Sequence, residues 1–174
     1  MTIIVHNTMV AKTFKLLALC EQWGNEFPNA HNTYVLDGLS NHRRFNCIAY
    51  AFDVFDKWIW PADYPYDCPS RPFDQLLIDK FHAELTTNHE YVKGYEKLAL
   101  YGINSYLVTH LARLHENGWI SKLGSRDLVE HPLTDLEGGL YGTYLKTYQI
   151  EKKEYKKIAP FVSNFRNNWI LDEW

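Results

Sequence analysis

The chain has 174 residues, with 18 Lys and Arg against 21 Asp and Glu, a formal net charge of −3. Apolar residues make up 46% and charged residues 22%, an ordinary globular balance that excludes disorder as the main state and suits one core needing no disulfide or metal staple. Mild acidity without a basic block argues against nucleic-acid binding, and no apolar run approaches the ~20 residues of a membrane span.

Aromatic side chains reach 16%, which asks for a large core, a stacking surface, or both. Cys20, Cys47 and Cys68 form an odd set without metal-ligand spacing. They read as thiols in a reducing compartment, and the cytoplasm is the expected location. Met1 to Val10 lacks the basic start and long apolar stretch of a secretory signal. His6, His31, His42, His82, His89 and His115 show no metal-binding spacing, so neither a metal nor a cofactor is expected.

In chain order, Leu16, Leu19, Cys20 and Trp23 predict a short amphipathic helix over Thr13 to Trp23. Asn25 to Arg44 reads as irregular. Phe45, Ile48, Ala49, Phe52, Phe55 and Ile59 mark one face of a helix running from Phe45 to Trp60, with Asn46 as its cap. Pro61, Pro65, Pro69 and Pro72 break regular structure, and Pro72 to Asn88 reads as helical again. From Tyr95 the period changes to that of strands: Glu96 to Tyr101, Tyr106 to His115 and Trp119 to Leu123, with a hairpin turn at Asn117-Gly118. Asp127 to Glu137 reads as loop with a turn. Gly138, Gly139 and Gly142 allow a tight path, and Leu140 to Glu151 reads as a last strand. Helices first and then a sheet of about three to five antiparallel strands argue for an α+β fold. Three regions are expected: an N-terminal extension over 1–33, a domain over 34–150, and a charged helical tail over 151–174.

Two residues stand out chemically. Cys47 falls in the first turn of the predicted Asn46 helix, where free N–H groups and the dipole favour thiolate over thiol. The same N–H groups suit an oxyanion. His110 alternates along its strand with Val108, Ala112 and Leu114, so it points to the apolar side on which a helix must pack. A helix-start cysteine and an inward strand histidine are the pair needed for a Cys–His nucleophile. The bland alternatives are a small buried hydrophobe and a satisfied core histidine. A third group usually orients the imidazole. Hairpin register offers Ser121, Lys122 or Ser125, of which Lys122 cannot accept a hydrogen bond. Just beyond lie Asp127, Glu130 and His131, and His131 is preferred. Trp58 and Trp60 could line a substrate cleft beside Asn46 and Cys47. Asp135 to Gly142 has no phosphate-loop lysine and reads as a structural turn.

Asn46-Cys47-Ile48-Ala49-Tyr50-Ala51 with Trp58-Ile59-Trp60-Pro61 resembles the front signature of an uncharacterised bacterial domain family. Its later signature is carried by Gly94 to Tyr101, Thr109-His110-Leu111-Ala112-Arg113, Gly118 to Gly124, Glu130-His131 and Asp135 to Gly142. The resemblance spans roughly Tyr34 to Tyr148. More distantly, the order Cys47 then His110 is similar to that of NlpC-like papain-fold cysteine peptidases and amidases, which add a polar residue on the next strand. Here that position falls near Ser121-Lys122. The resemblance implies a papain-like α+β fold and a cysteine hydrolase acting on an amide bond in a peptide or peptidoglycan-like substrate. The contrasting expectation is an inactive binding module of immunity or regulatory type, its Trp and Tyr side chains serving an interface. A third is a transferase on the same Cys–His pair.

Overall fold

The computed structural model describes residues 2–5, 8–15, 21–36, 44–59, 70–104, 107–158 and 160. Strand periodicity from Tyr95 onward builds the centre of the molecule: β5 (Tyr95–Asn104), β6 (Leu107–His115), β7 (Gly118–Lys122), β8 (Leu128–His131) and β9 (Thr143–Glu151). With β1 (Thr2–Val5), β2 (Thr8–Lys15), β3 (Tyr34–Leu36) and β4 (Glu84–Thr86) they form a sheet ordered β1-β2-β3-β8-β7-β6-β5-β9-β4. All pairings among the described residues are antiparallel. The class is α+β, with short helices α1 (Glu21–Glu26), α2 (Cys47–Ala51), α3 (Ser70–Phe81) and α4 (Lys152–Tyr155).

The central strands are covered on both sides. In β5, Leu98 and Leu100 join one core cluster, and Ala99 and Tyr101 join the other, so Glu96 to Gly102 are all buried. The first cluster packs α2, Leu77 and Phe81 of α3, and Tyr155 and Ile158 against Leu111, Ile120 and Ile150. The second packs Phe27, Ala30, Leu136 and Tyr141 against Ala112, Leu114, Trp119 and Val129. Each fully buried large side chain stabilises the fold by about 1.5–3 kcal/mol.

Several local expectations change. The sheet is wider than three to five strands, and strands rather than helices lead the chain. Thr13 to Lys15 belong to β2, and the nearby helix is α1. Residues 128–131, read as loop, form β8, because Leu128 and Val129 are buried between β3 and β7. The helical run from Pro72 to Asn88 stops at Phe81: His82 is left-handed (φ 53), and Glu84–Thr86 pairs with β9. The hairpin turn is Glu116-Asn117, with Gly118 (φ 152) opening β7 opposite His115.

The expected helix from Phe45 to Trp60 shortens to Cys47–Ala51. Asn46 caps it, its Oδ1 accepting from the Ala49 N–H at 3.0 Å. The helix ends because Asp53 is left-handed (φ 62) and its carboxylate is held by Arg113 at 2.7 Å. Arg113 also binds Glu96 at 3.1 Å and lies over the Tyr155 ring. The apolar spacing beyond Phe52 therefore belongs to a folded-back segment. Asn46 ties that segment down, donating to the Ile59 carbonyl at 2.9 Å and accepting from its N–H at 3.4 Å. Asn46→Ala removes the cap, worth about 1 kcal/mol, and leaves buried Ile59 groups unpaired at about 1–3 kcal/mol more. Urea unfolding of that variant is expected to show a loss of about 2–4 kcal/mol, against about 1 kcal/mol if the cap alone mattered.

Candidate functional site

The structure brings the start of α2 to the middle of β6. β6 and β7 pair at Arg113–Ile120, Leu114–Trp119 and His115–Gly118, and α2 packs directly on both strands. The backbone N–H groups of Leu111, Ile48 and Cys47 lie close enough to the sulfur to favour the thiolate. Cys47 is 4% exposed. Burial outweighs these donors, and the thiol is pushed up to about 11.

His110 precedes Leu111 and is fully buried. Its expected face is corrected by a bulge. Tyr101 pairs with His110, but Gly102 pairs with Val108, leaving Thr109 as the extra residue. Val108 thereby joins the helix-side core, while His110, Ala112 and Leu114 lie on the other face. There the imidazole stacks on Tyr141, with centroids 3.8 Å apart and planes 7° apart, and the Tyr101 ring lies at 5.8 Å. Neither ring nitrogen has a hydrogen-bond partner, the Cys47 thiol included. Burial, with His131 nearby, holds the imidazole well below its ordinary 6.5, so thiol and imidazole are both neutral at pH 7.

Tyr141 is placed by its loop. Thr109 Oγ1 donates to its carbonyl at 2.7 Å, and the Leu140 N–H donates to the Glu26 carbonyl at 2.8 Å. Gly139 is needed for this close approach: a Cβ there would lie 2.0 Å from the Glu26 oxygen. Burial and the neighbouring Cys47 push the Tyr141 phenol well above 10. Tyr141 thus stacks on His110, and its phenol lies within electrostatic reach of Cys47. Its part was not read from the sequence, where only the glycines around it signalled a tight path.

His131 is buried on the same face as His110, but its ring is occupied elsewhere. Nδ1 faces the Pro132 carbonyl at 2.9 Å, so it carries the proton, and Nε2 accepts from Ser121 Oγ at 2.9 Å. Burial pushes this imidazole down to about 4. The Tyr101 and His131 rings meet edge to face with centroids 6.4 Å apart, and His131 makes no hydrogen bond to His110. Ser121 is committed to His131. Glu130 pairs with Tyr34 and Ile120 at the strand level and lies against Gly118. Asp127 lies beside Lys122, and Ser125 is half-buried in the turn after β7. No third side chain is hydrogen-bonded to His110 in this arrangement.

The Asn46 side chain is spent on the cap and on Ile59, which leaves the helix-start N–H groups, rather than its amide, facing the sulfur. Trp58 is half-buried near the end of the folded-back segment. Trp60, Cys20 and Cys68 lie outside the described residues. Among the described residues no cluster of His, Cys, Asp and Glu could hold a metal ion, and no helix is long and apolar enough to cross a membrane.

No curated protein and no solved structure matches the chain. Residues 39–149, which include Cys47, His110, His131 and the Tyr141 loop, match one family model. That match covers more than half of the chain, which therefore belongs to the family described as "Domain of unknown function (DUF7689)".

Proposed function

We propose that the protein is a papain-like, NlpC-like cysteine hydrolase that cleaves an amide bond in a peptide or peptidoglycan-like substrate. The observation that carries this reading is the packing of α2 directly on β6, which sets the helix-start sulfur of Cys47 against the strand that carries His110. A second support is a fully buried imidazole with both nitrogens unpartnered, a costly arrangement in a core where polar groups are normally paired.

The reaction starts from the neutral pair. His110 rests on the face of the sheet away from α2, so the reaction requires the bulge at Thr109 to shift and turn the ring to the helix side. Cys47 Sγ then attacks the carbonyl carbon as its proton passes to His110, and the carbonyl oxygen becomes an oxyanion held by the N–H groups of Cys47 and Ile48. Collapse breaks the C–N bond, and His110 returns the proton to the leaving amine. Water, deprotonated by His110, then hydrolyses the thioester. Stacking on Tyr141 holds the resting ring, and His131 with Ser121 braces β7 against β8. Because the thiol is buried, substrate entry requires the side chains that cover it to yield.

In a Cys20→Ser/Cys68→Ser background, turnover of a peptide and muropeptide panel is expected to fall at least about 10³-fold in both Cys47→Ala and His110→Ala. Iodoacetamide labelling of Cys47 at pH 7 should slow at least about tenfold in His110→Ala, because the imidazole takes the thiol proton. The second reading, a binding module that keeps the fold without catalysis, is favoured by the burial of a neutral thiol and imidazole. It requires labelling that follows an apparent value near 11, is indifferent to His110→Ala, and comes with no turnover.

A further inference from the structure

Lys122 is an anomaly in this core. It is fully buried, although lysine is almost never buried without a charged partner. Its ammonium donates to the carbonyls of Gly124 (3.4 Å) and Arg126, and lies 5.4 Å from the centroid of the Phe45 ring, two residues before Cys47. Two backbone carbonyls and a ring face tie the side chain down, and the Asp127 carboxylate nearby offsets its charge without forming an ion pair with it among the described residues. α2, with Cys47 at its start, packs directly on β7.

We propose that Lys122 is a positioning residue that supplies the fixed positive charge against which the Cys47 thiolate forms. This rests on the hydrolase reading and deepens it. The arrangement differs from a resting thiolate–imidazolium pair. His110, neutral at rest, moves the proton once it turns to the helix side, while the charge that stabilises sulfur comes from β7, already on that side. The charged and titratable groups within electrostatic reach of the pair are the Asp127 carboxylate near Lys122, the Tyr141 phenol, and the Arg126 guanidinium, which is bound to Glu26. Attraction between Lys122 and Cys47 favours the charged form of each, although burial outweighs it for both.

The test is the pH–rate profile of Cys47 alkylation by iodoacetamide in the Cys20→Ser/Cys68→Ser protein, in Lys122→Met, Lys122→Gln and Lys122→Arg. Lys122→Gln keeps a donor for the Gly124 and Arg126 carbonyls and guards against a Met variant that fails to fold. Labelling of the folded neutral variants should be at least about tenfold slower at pH 7, with the profile moved to higher pH, and Lys122→Arg should restore most of the rate. A neutral variant that is less stable but keeps the wild-type profile makes Lys122 a structural clamp only and overturns the proposal. A Lys122-dependent profile in a protein that turns over no amide would sink the hydrolase reading while leaving the electrostatic pairing intact.

Discussion

Between pH 6.5 and about 5, the stability of the folded protein is expected to fall with a slope that steepens to about 2.7 kcal/mol per pH unit. The cause is His110 and His131. Burial holds the first well below 6.5 and pushes the second down to about 4. Once the pH drops below 6.5, the unfolded chain binds two protons that the folded chain refuses. Stability from a depressed base is complete above its unfolded value and is lost as pH falls towards the folded one. His131 alone accounts for about 3 kcal/mol by pH 4, a large part of the 5–15 kcal/mol of a typical domain. Asp127, whose carboxyl is raised by burial, works in the opposite sense at the lower end of the window. Urea unfolding at pH 7, 6 and 5 measures the slope. His131→Gln, which can keep a bond to Ser121, should roughly halve it. A midpoint that does not move across this window would mean that both imidazoles titrate freely in the fold.

Gly142→Ala is expected to destabilise the protein by about 3–4 kcal/mol, combining a left-handed backbone penalty with overpacking. Gly142 is at φ 75, and a Cβ there would lie 2.2 Å from the Gly102 carbonyl oxygen and 2.9 Å from the Ile103 Cα. These are backbone atoms of β5 and cannot swing aside. The control is Gly124→Ala, at φ 58 with nothing within 4 Å, which should lose only about 1 kcal/mol. The larger effect has a functional consequence. Gly142 follows Tyr141, so displacing it unstacks the phenol from His110. If the two alanine variants are equally stable, the contact between the Tyr141 loop and β5 is not what fixes that loop.

Local signals in the chain were strong where one residue type has few structural options. Asn46 before an apolar run marks a helix start, since its side chain can take an orphan N–H, and Cys47 then has to follow at the first helical position. The alternation in β5 to β7 and the turn before Gly118 fixed an antiparallel α+β protein. Helix length was less legible. The apolar residues after Phe52 keep a helical spacing, but Arg113 holds Asp53 and Asn46 holds Ile59, and these contacts reach across 60 and 13 positions of chain.

Side-chain identity and period thus determined the class, the strands around the site and the two reactive groups worth weighing. Which face His110 presents was decided by one extra residue at Thr109, because a one-residue shift in a strand sends every side chain beyond it to the other side. Also decided only by the tertiary structure were the packing of α2 on β6, Tyr141 on the imidazole, Ser121 on His131 and the burial of Lys122. The first two join segments distant in sequence, and the last two depend on what pairs with and covers β7. The protonation of the site follows from them, since desolvation depends on what closes over a group rather than on the group's neighbours in the chain.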